Sequence, residues 1–133
     1  MVRKLVLPVA GMGTRLRPLT LSTPKALLPV AGKPLLEYML TEARASGIRE
    51  VILVISPQHQ AHFDKYLEGI ASTFRDLKFA VLTQENPFGN GEAILKAYDL
   101  IKNEPIAGRF CDDILIHDQP AIKSLISLFN AHR

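Results

Sequence analysis

The chain carries a single cysteine, Cys111, among 133 residues. No intrachain disulfide can form, and the lone thiol points to a reducing compartment, the cytoplasm. No basic stretch leads into an apolar one at the start, because Val6 to Ala10 runs straight into a glycine turn, so no secretory leader is expected. No apolar run reaches the length of a membrane span. Long Lys/Arg runs of the kind that grip nucleic acid are missing too, and the net charge is only +3. That small excess suits an anionic small ligand, and equally a few unpaired surface lysines. Repeats, low-complexity tracts and linkers are absent. What remains is 47% hydrophobic and 22% charged, the composition of one globular domain with its own core.

Strand-type and helix-type patterns alternate along this domain. Lys4 to Val9 reads as a buried strand. Lys33 to Ser46 reads as a helix, with Leu36, Met39, Leu40 and Ala43 at helical spacing and Gly47 where a cap belongs. Glu50 to Ile55 is a β-branched second strand. Pro57 to about Ala71 is helical with Phe63, Leu67 and Ile70 inward, and Leu77 to Leu82 is a third strand. Gly91 to Lys102 is expected as a helix with Ile94, Leu95, Tyr98 and Ile101 on one face. Pro120 to His132 ends the chain as a helix carrying Ile122, Leu125, Ile126 and Phe129, with Asp118 suited to cap its start. Ile106 to Ile116 is the place for a fourth, central strand, but Gly108 and Arg109 interrupt it. A short or distorted strand is expected there. Such alternation predicts a mostly parallel sheet covered by helices, with ligands bound outside the carboxyl ends of its strands.

The richest chemistry follows the first strand. Val6-Leu7-Pro8-Val9-Ala10 stops at Gly11-Met12-Gly13-Thr14-Arg15-Leu16-Arg17-Pro18-Leu19-Thr20, with Thr23-Pro24-Lys25 close behind. Glycines let backbone N–H groups approach phosphate oxygens. Arg can clamp a phosphate through paired hydrogen bonds, and Lys adds a point charge. Leu16 stands where both a P-loop and a dinucleotide fingerprint require glycine, so neither explains the run. Gln84-Glu85-Asn86-Pro87-Phe88-Gly89-Asn90-Gly91-Glu92-Ala93-Ile94 is a second glycine-rich loop, placed between a strand and a helix. Gln84 offers both donor and acceptor to a base edge, although Asn90-Gly91 is also an ordinary turn signal. Asp112-Asp113 is a pair that can hold Mg²⁺ with substrate phosphates, or simply a solvated acidic turn.

The first run resembles the signature of the sugar-1-phosphate nucleotidyltransferases. Pro8-Val9-Ala10-Gly11 is most like the UTP–glucose-1-phosphate uridylyltransferase variant, and Pro24-Lys25-Ala26-Leu27-Leu28-Pro29 through Glu37-Tyr38 continues the pattern without a gap. The resemblance implies a three-layer αβα, Rossmann-like nucleotide-diphospho-sugar transferase fold. It implies transfer of a nucleotidyl group from an NTP, UTP before dTTP, to a sugar 1-phosphate, with pyrophosphate leaving. Ala10, Gly11, Gly13 and Thr14 would bind the nucleotide, Gln84 would read the base, and Gly89 would support it. Arg15 and Lys25 would be catalytic. Asp112 would hold Mg²⁺, with Asp113 in support. Molybdenum-cofactor cytidylyltransferases share a related glycine loop but lack the long spacing to Pro24-Lys25.

Residues 1–133 match only about the first half of that family's catalytic domain, its nucleotide-binding half. The family's downstream Glu-Lys pair and second metal-binding Asp have no counterpart here. Binding of NTP without transfer, as in a non-catalytic or regulatory module, is therefore the alternative expectation. Part of the sheet and one helix face should lie uncovered, which predicts a homo-oligomer or pairing with a complementary chain. His59 and His62, one helical turn apart, read as surface or capping residues, Cys111 as a small buried hydrophobe, and Tyr38, Tyr66 and Tyr98 as core or rim.

Overall fold

The computed structural model describes residues 1–86 and 88–132, so Pro87 of the second loop lies outside the described residues. Four parallel strands form the main sheet: β1 (Lys4–Pro8), β4 (Glu50–Ile55), β5 (Lys78–Thr83) and β6 (Ile106–Gly108), in the order β5-β4-β1-β6. β2 (Pro29–Val30) and β3 (Lys33–Pro34) make a small antiparallel pair. The helices are α1 (Leu35–Ala45), α2 (Gln60–Ile70), α3 (Asn90–Lys96), α4 (Tyr98–Ile101) and α5 (Ala121–Ala131).

The two faces of the sheet follow from strand alternation. Leu5 and Leu7 of β1 point with Val51, Leu53 and Ile55 of β4 into one cluster, closed by Leu36, Met39, Leu40 and Ala43 of α1, Phe63 of α2 and Ile122 of α5. Val6, Ile52 and Val54 point the other way, against Ala93 and Ala97. Each fully buried Leu or Ile contributes about 1.5–3 kcal/mol from the area it removes from water. The result is the expected αβα arrangement of three layers. In register, Leu5 lies beside Val51 and Leu7 beside Leu53, with β6 on the opposite side of β1 at Leu5–Ala107. Strand order therefore reverses at β1, and the crevice that opens there is where parallel sheets bind ligands.

α1 ends as its glycine predicts: Ile48 N–H donates to the Ala43 carbonyl at 3.1 Å, and Gly47 N–H to that of Arg44 at 3.2 Å. Two helix expectations are corrected. The segment from Gly91 to Lys102 breaks at Ala97 into α3 and α4. Its inward stripe is Ala93, Ala97 and Ile101, whereas Ile94, Leu95 and Tyr98 are exposed. Small alanines win because they let the helix approach β1 and β4 closely. α5 starts from Pro120 without a side-chain cap, so Asp118 does not cap it. Only Ile122 and Ile126 of α5 pack on the core, while Leu125 and Phe129 remain largely outside.

The fourth strand is short, as the interruption predicts, but among the described residues it lies at the edge of the sheet rather than at its centre, because no strand pairs on its far side. β6 covers three residues, and Arg109 N–H adds one more bond to the Val6 carbonyl at 3.3 Å. The Arg109 side chain then turns into the interior, where it is 9% exposed. Its guanidinium meets the Glu42 carboxylate of α1 at 2.9 and 3.1 Å and donates to the Asp113 carbonyl at 2.7 Å. Glu42 also accepts from the Ile122 N–H of α5 at 3.0 Å. One buried ion pair thus joins α1, the turn after β6 and the start of α5.

Candidate functional site

Two adjoining cavities open at the carboxyl end of β1. The larger, of about 350 Å³, is lined by Pro8, Gly11, Lys25, Asn90, Asp112 and Asp113 among others. The smaller, of about 160 Å³, is lined by Pro8, Ala10, Gly11, Gln84, Gly89 and Asn90. Pro8, Gly11 and Asn90 border both, so the pair reads as one cleft. An added Cβ on Gly11 would meet no protein atom within 4 Å, which leaves room beside its backbone for a ligand.

The glycine turn needs its second glycine for two reasons. Gly13 sits at φ +58°, in the left-handed region, and an added Cβ would lie 2.7 Å from Thr20 Cγ2. Thr20 in turn donates its hydroxyl to the Gly13 carbonyl at 2.7 Å, which holds the turn's shape. Thr14 and Arg15 follow in a short 3-10 turn (Thr14–Leu16) and are exposed. They do not line the cleft in this conformation, although the Arg15 charge contributes to holding Asp112 ionised.

Lys25 and Asp112 meet across 87 residues of chain, with Nζ 2.5 Å from Oδ2. The hydrogen bond from Lys25 is the main reason the Asp112 carboxyl lies below its ordinary range, against the opposing effect of partial burial. Asp112 is therefore a carboxylate at neutral pH, facing the same cavity as Lys25. Beside it, burial and the Asp112 charge push the Cys111 thiol up to about 11. Cys111 is buried and uncharged, a packing residue as expected.

The Gln84 end of the cleft is more constrained than its sequence indicates. Gln84 is 3% exposed, and its backbone N–H extends the sheet to the Ile55 carbonyl at 2.8 Å. Its side-chain amide donates to Glu92 Oε2 at 2.6 Å and to the Gly89 carbonyl at 3.3 Å. Both N–H groups are thus taken, and the amide oxygen is the group left for a ligand. Gly89 has φ +103° and ψ 177°, a backbone open essentially to glycine alone, and it starts α3. Glu92, not foreseen as part of the site, orients Gln84 and also accepts from Phe88 N–H at 3.3 Å. Its signal was a carboxylate in the first turn of a helix one turn beyond the glycine. Asn90 and Phe110 also line the cleft unforeseen.

Among the described residues no group of three or more His, Cys, Asp or Glu could cage a metal ion. Asp112, ionised and half exposed with Asp113 beside it, fits instead the donor set of Mg²⁺. That ion is bound by one or two carboxylates and completes its octahedron with phosphates and water.

The sheet thus carries a glycine turn, a lysine and a carboxylate at its switch point, the arrangement expected of the nucleotidyl-transferring class. The Nucleotidyl transferase family model matches residues 4–133, and the chain belongs to that family. Two relatives illustrate the likeness. UTP–glucose-1-phosphate uridylyltransferase YngB of Bacillus subtilis is 32% identical over 98% of this chain and 50% of its own length. The UTP–glucose-1-phosphate uridylyltransferase of Mycoplasma pneumoniae is 34% identical over 96% and 50%. A UDP-glucose pyrophosphorylase crystallised with UDP-glucose superposes with a TM-score of 0.87 at 32% identity, over 99% of this chain and 54% of its own. A UTP-bound UGPase of Acinetobacter baumannii gives 0.80 at 27% identity, over 98% and 53%. The chain spans about half the length of the relatives it matches. No helix among the described residues is long and apolar enough to cross a membrane.

Proposed function

We propose that residues 1–133 form the nucleotide-binding half of a cytoplasmic sugar-1-phosphate nucleotidyltransferase that takes UTP, then dTTP, and glucose 1-phosphate. The observation that carries this reading is the meeting of Lys25 and Asp112 in a cleft bordered by Gly11, next to Gln84. A phosphate oxygen of the sugar 1-phosphate would attack the α-phosphorus of the nucleotide, and the bond to the β-phosphate would break to release pyrophosphate.

The protein's share of that reaction is placement and charge. Backbone N–H groups at Ala10 to Thr14 would hold phosphate oxygens. Arg15, carried on the exposed turn, would swing onto the leaving pyrophosphate. Lys25 would exchange the Asp112 carboxylate for the α-phosphate, where its ammonium neutralises charge as it develops. Asp112, freed, would hold Mg²⁺ with Asp113 in support, and the ion would supply charge neutralisation across the phosphates. The Gln84 amide oxygen would accept from an imide N–H of uracil or thymine, with Glu92 setting its orientation.

A second reading is a module that binds the nucleotide without turning it over. The shortness of β6, just ahead of Asp112, favours it. Pyrophosphate release by the purified chain with Mg²⁺, UTP and glucose 1-phosphate separates the two. Release that depends on both substrates supports transfer. UTP binding by calorimetry without release supports the second reading. Neither binding nor release, from folded protein, overturns both.

A further inference from the structure

A cavity of about 230 Å³ shares no lining residue with the nucleotide cleft, although the glycine turn contributes to both. Arg17, Thr20 and Ser22 line it from the turn, Gln58 and His59 from the 3-10 turn before α2, and His62 from α2 itself. Three of these side chains are basic, and no acidic residue lines the space. Arg17 makes no ion pair among the described residues. The rings of His59 and His62 stand edge to face with centroids 6.0 Å apart, so a proton on either opposes a proton on the other. Burial and the neighbouring His62 hold His59 below its ordinary range.

A guanidinium beside two imidazoles, with no carboxylate lining the space, leaves a positive charge and several donors that an anion would satisfy. A second observation points the same way. His59 Nδ1 is buried and has no hydrogen-bond partner among the described residues. Buried polar atoms in native proteins nearly always have one, from protein, water or a bound ion. The neutral groups suit an oxyanion as well. Gln58 spends its amide on the Met12 sulfur at 3.1 Å, a weak acceptor that a phosphate oxygen would outcompete. The Ser22 hydroxyl is a further donor on the rim.

We propose that this cavity is a second anion site, for a phosphate group carried by inorganic phosphate, pyrophosphate or a phosphorylated sugar. Arg17 supplies the charge, and the imidazoles of His59 and His62, with Ser22 and Gln58, supply hydrogen bonds. The site does not rest on the nucleotidyltransferase reading. It does bear on the turn, because Thr20 both lines this cavity and bonds the Gly13 carbonyl. Occupancy is thereby coupled to the backbone that faces the cleft.

The test is an NMR titration of the His59 and His62 imidazole resonances in the 133-residue chain. Inorganic phosphate, pyrophosphate and glucose 1-phosphate are added in turn, with ionic strength matched by chloride. Saturable shifts of both rings with at least one phosphate species, absent with chloride, are expected, and the three arms identify which carrier fits. Arg17→Gln and His62→Ala should each weaken the shift of His59 roughly tenfold in affinity. Both positions are exposed, and the amide spectrum reports whether the variants keep their fold. Ring shifts no larger than with chloride would overturn the proposal, as would binding unchanged in both variants. Saturating UTP is then added: displacement of phosphate from the rings would show an extension of the nucleotide cleft and defeat the claim of a separate site. A chain that binds no UTP would count against the proposed function and leave the phosphate titration standing.

Discussion

Lys25 is a residue whose partner changes the meaning of both. Alone it is a cation ten positions after an arginine, and Asp112 is one carboxylate of an adjacent pair. Brought to 2.5 Å they become a charge pair in a cleft; on the proposed function, a phosphate would compete for the lysine and a metal ion for the aspartate. Lys25→Ala should reduce UTP affinity or turnover by about a hundredfold, the scale of losing one positioned cation at a phosphoryl centre, with the unfolding midpoint in urea little changed. Cys111 gives a prediction with a definite sign. Its thiol is raised from 9.0 to about 11 chiefly by burial. Folding therefore favours the neutral form. That contribution to stability is complete below pH 9 and is lost as pH rises from 9 to about 11. At pH 8 the native thiol should react with a disulfide reagent about a hundredfold more slowly than the urea-unfolded chain, since two pH units separate the thiolate fractions. Equal rates would show that Cys111 is not buried as described.

At the scale of elements, the decisive device is the Arg109–Glu42 pair. Arg109 ends β6 after three residues and ties the following turn to α1 and, through Glu42, to α5. Asp112 lies within that tied turn, so the pair sets where the carboxylate of the cleft can be. Glu42→Ala leaves a guanidinium buried without its counter-charge and should destabilise the domain by about 3 kcal/mol in urea unfolding. Replacing both partners, Arg109→Met with Glu42→Leu, should cost less than the single change, because no charge is then left unpaired. A double variant weaker than Glu42→Ala would refute this account. Strand and helix identity was legible where periodicity was strong, as in β1, α1 and β4. It was misleading in α3 and α4, where larger apolar residues lie outside and alanines lie inside. Hydrophobicity alone does not record that a helix must come close to its sheet.

The whole molecule presents one face that its own chain does not cover. β6 is an edge strand, and between it and α5 runs a groove of about 200 Å³ lined by Val2, Ile106, Ala107, Ile122, Leu125 and Phe129 among others. Leu125 is 64% and Leu128 58% exposed on the same helix. Exposed apolar surface beside an open sheet edge favours association. Light scattering should show mass rising with concentration for this chain, and Leu125→Lys should shift it towards monomer. A monomer at every concentration would rule out this use of the surface.

The sequence by itself determined the alternating αβ order, the glycine turn, the shortness of the fourth strand and the family. All of these rest on local signals: period, turn residues and contiguous motif. Tertiary structure decided the rest, because it depends on partners far apart in the chain. It joined Lys25 to Asp112, set Glu92 behind Gln84 and buried Arg109 against Glu42. It also placed Arg17 with His59 and His62 around one cavity. Charges and hydrogen bonds act over a few ångströms of space, and only folding makes residues that are distant in sequence near.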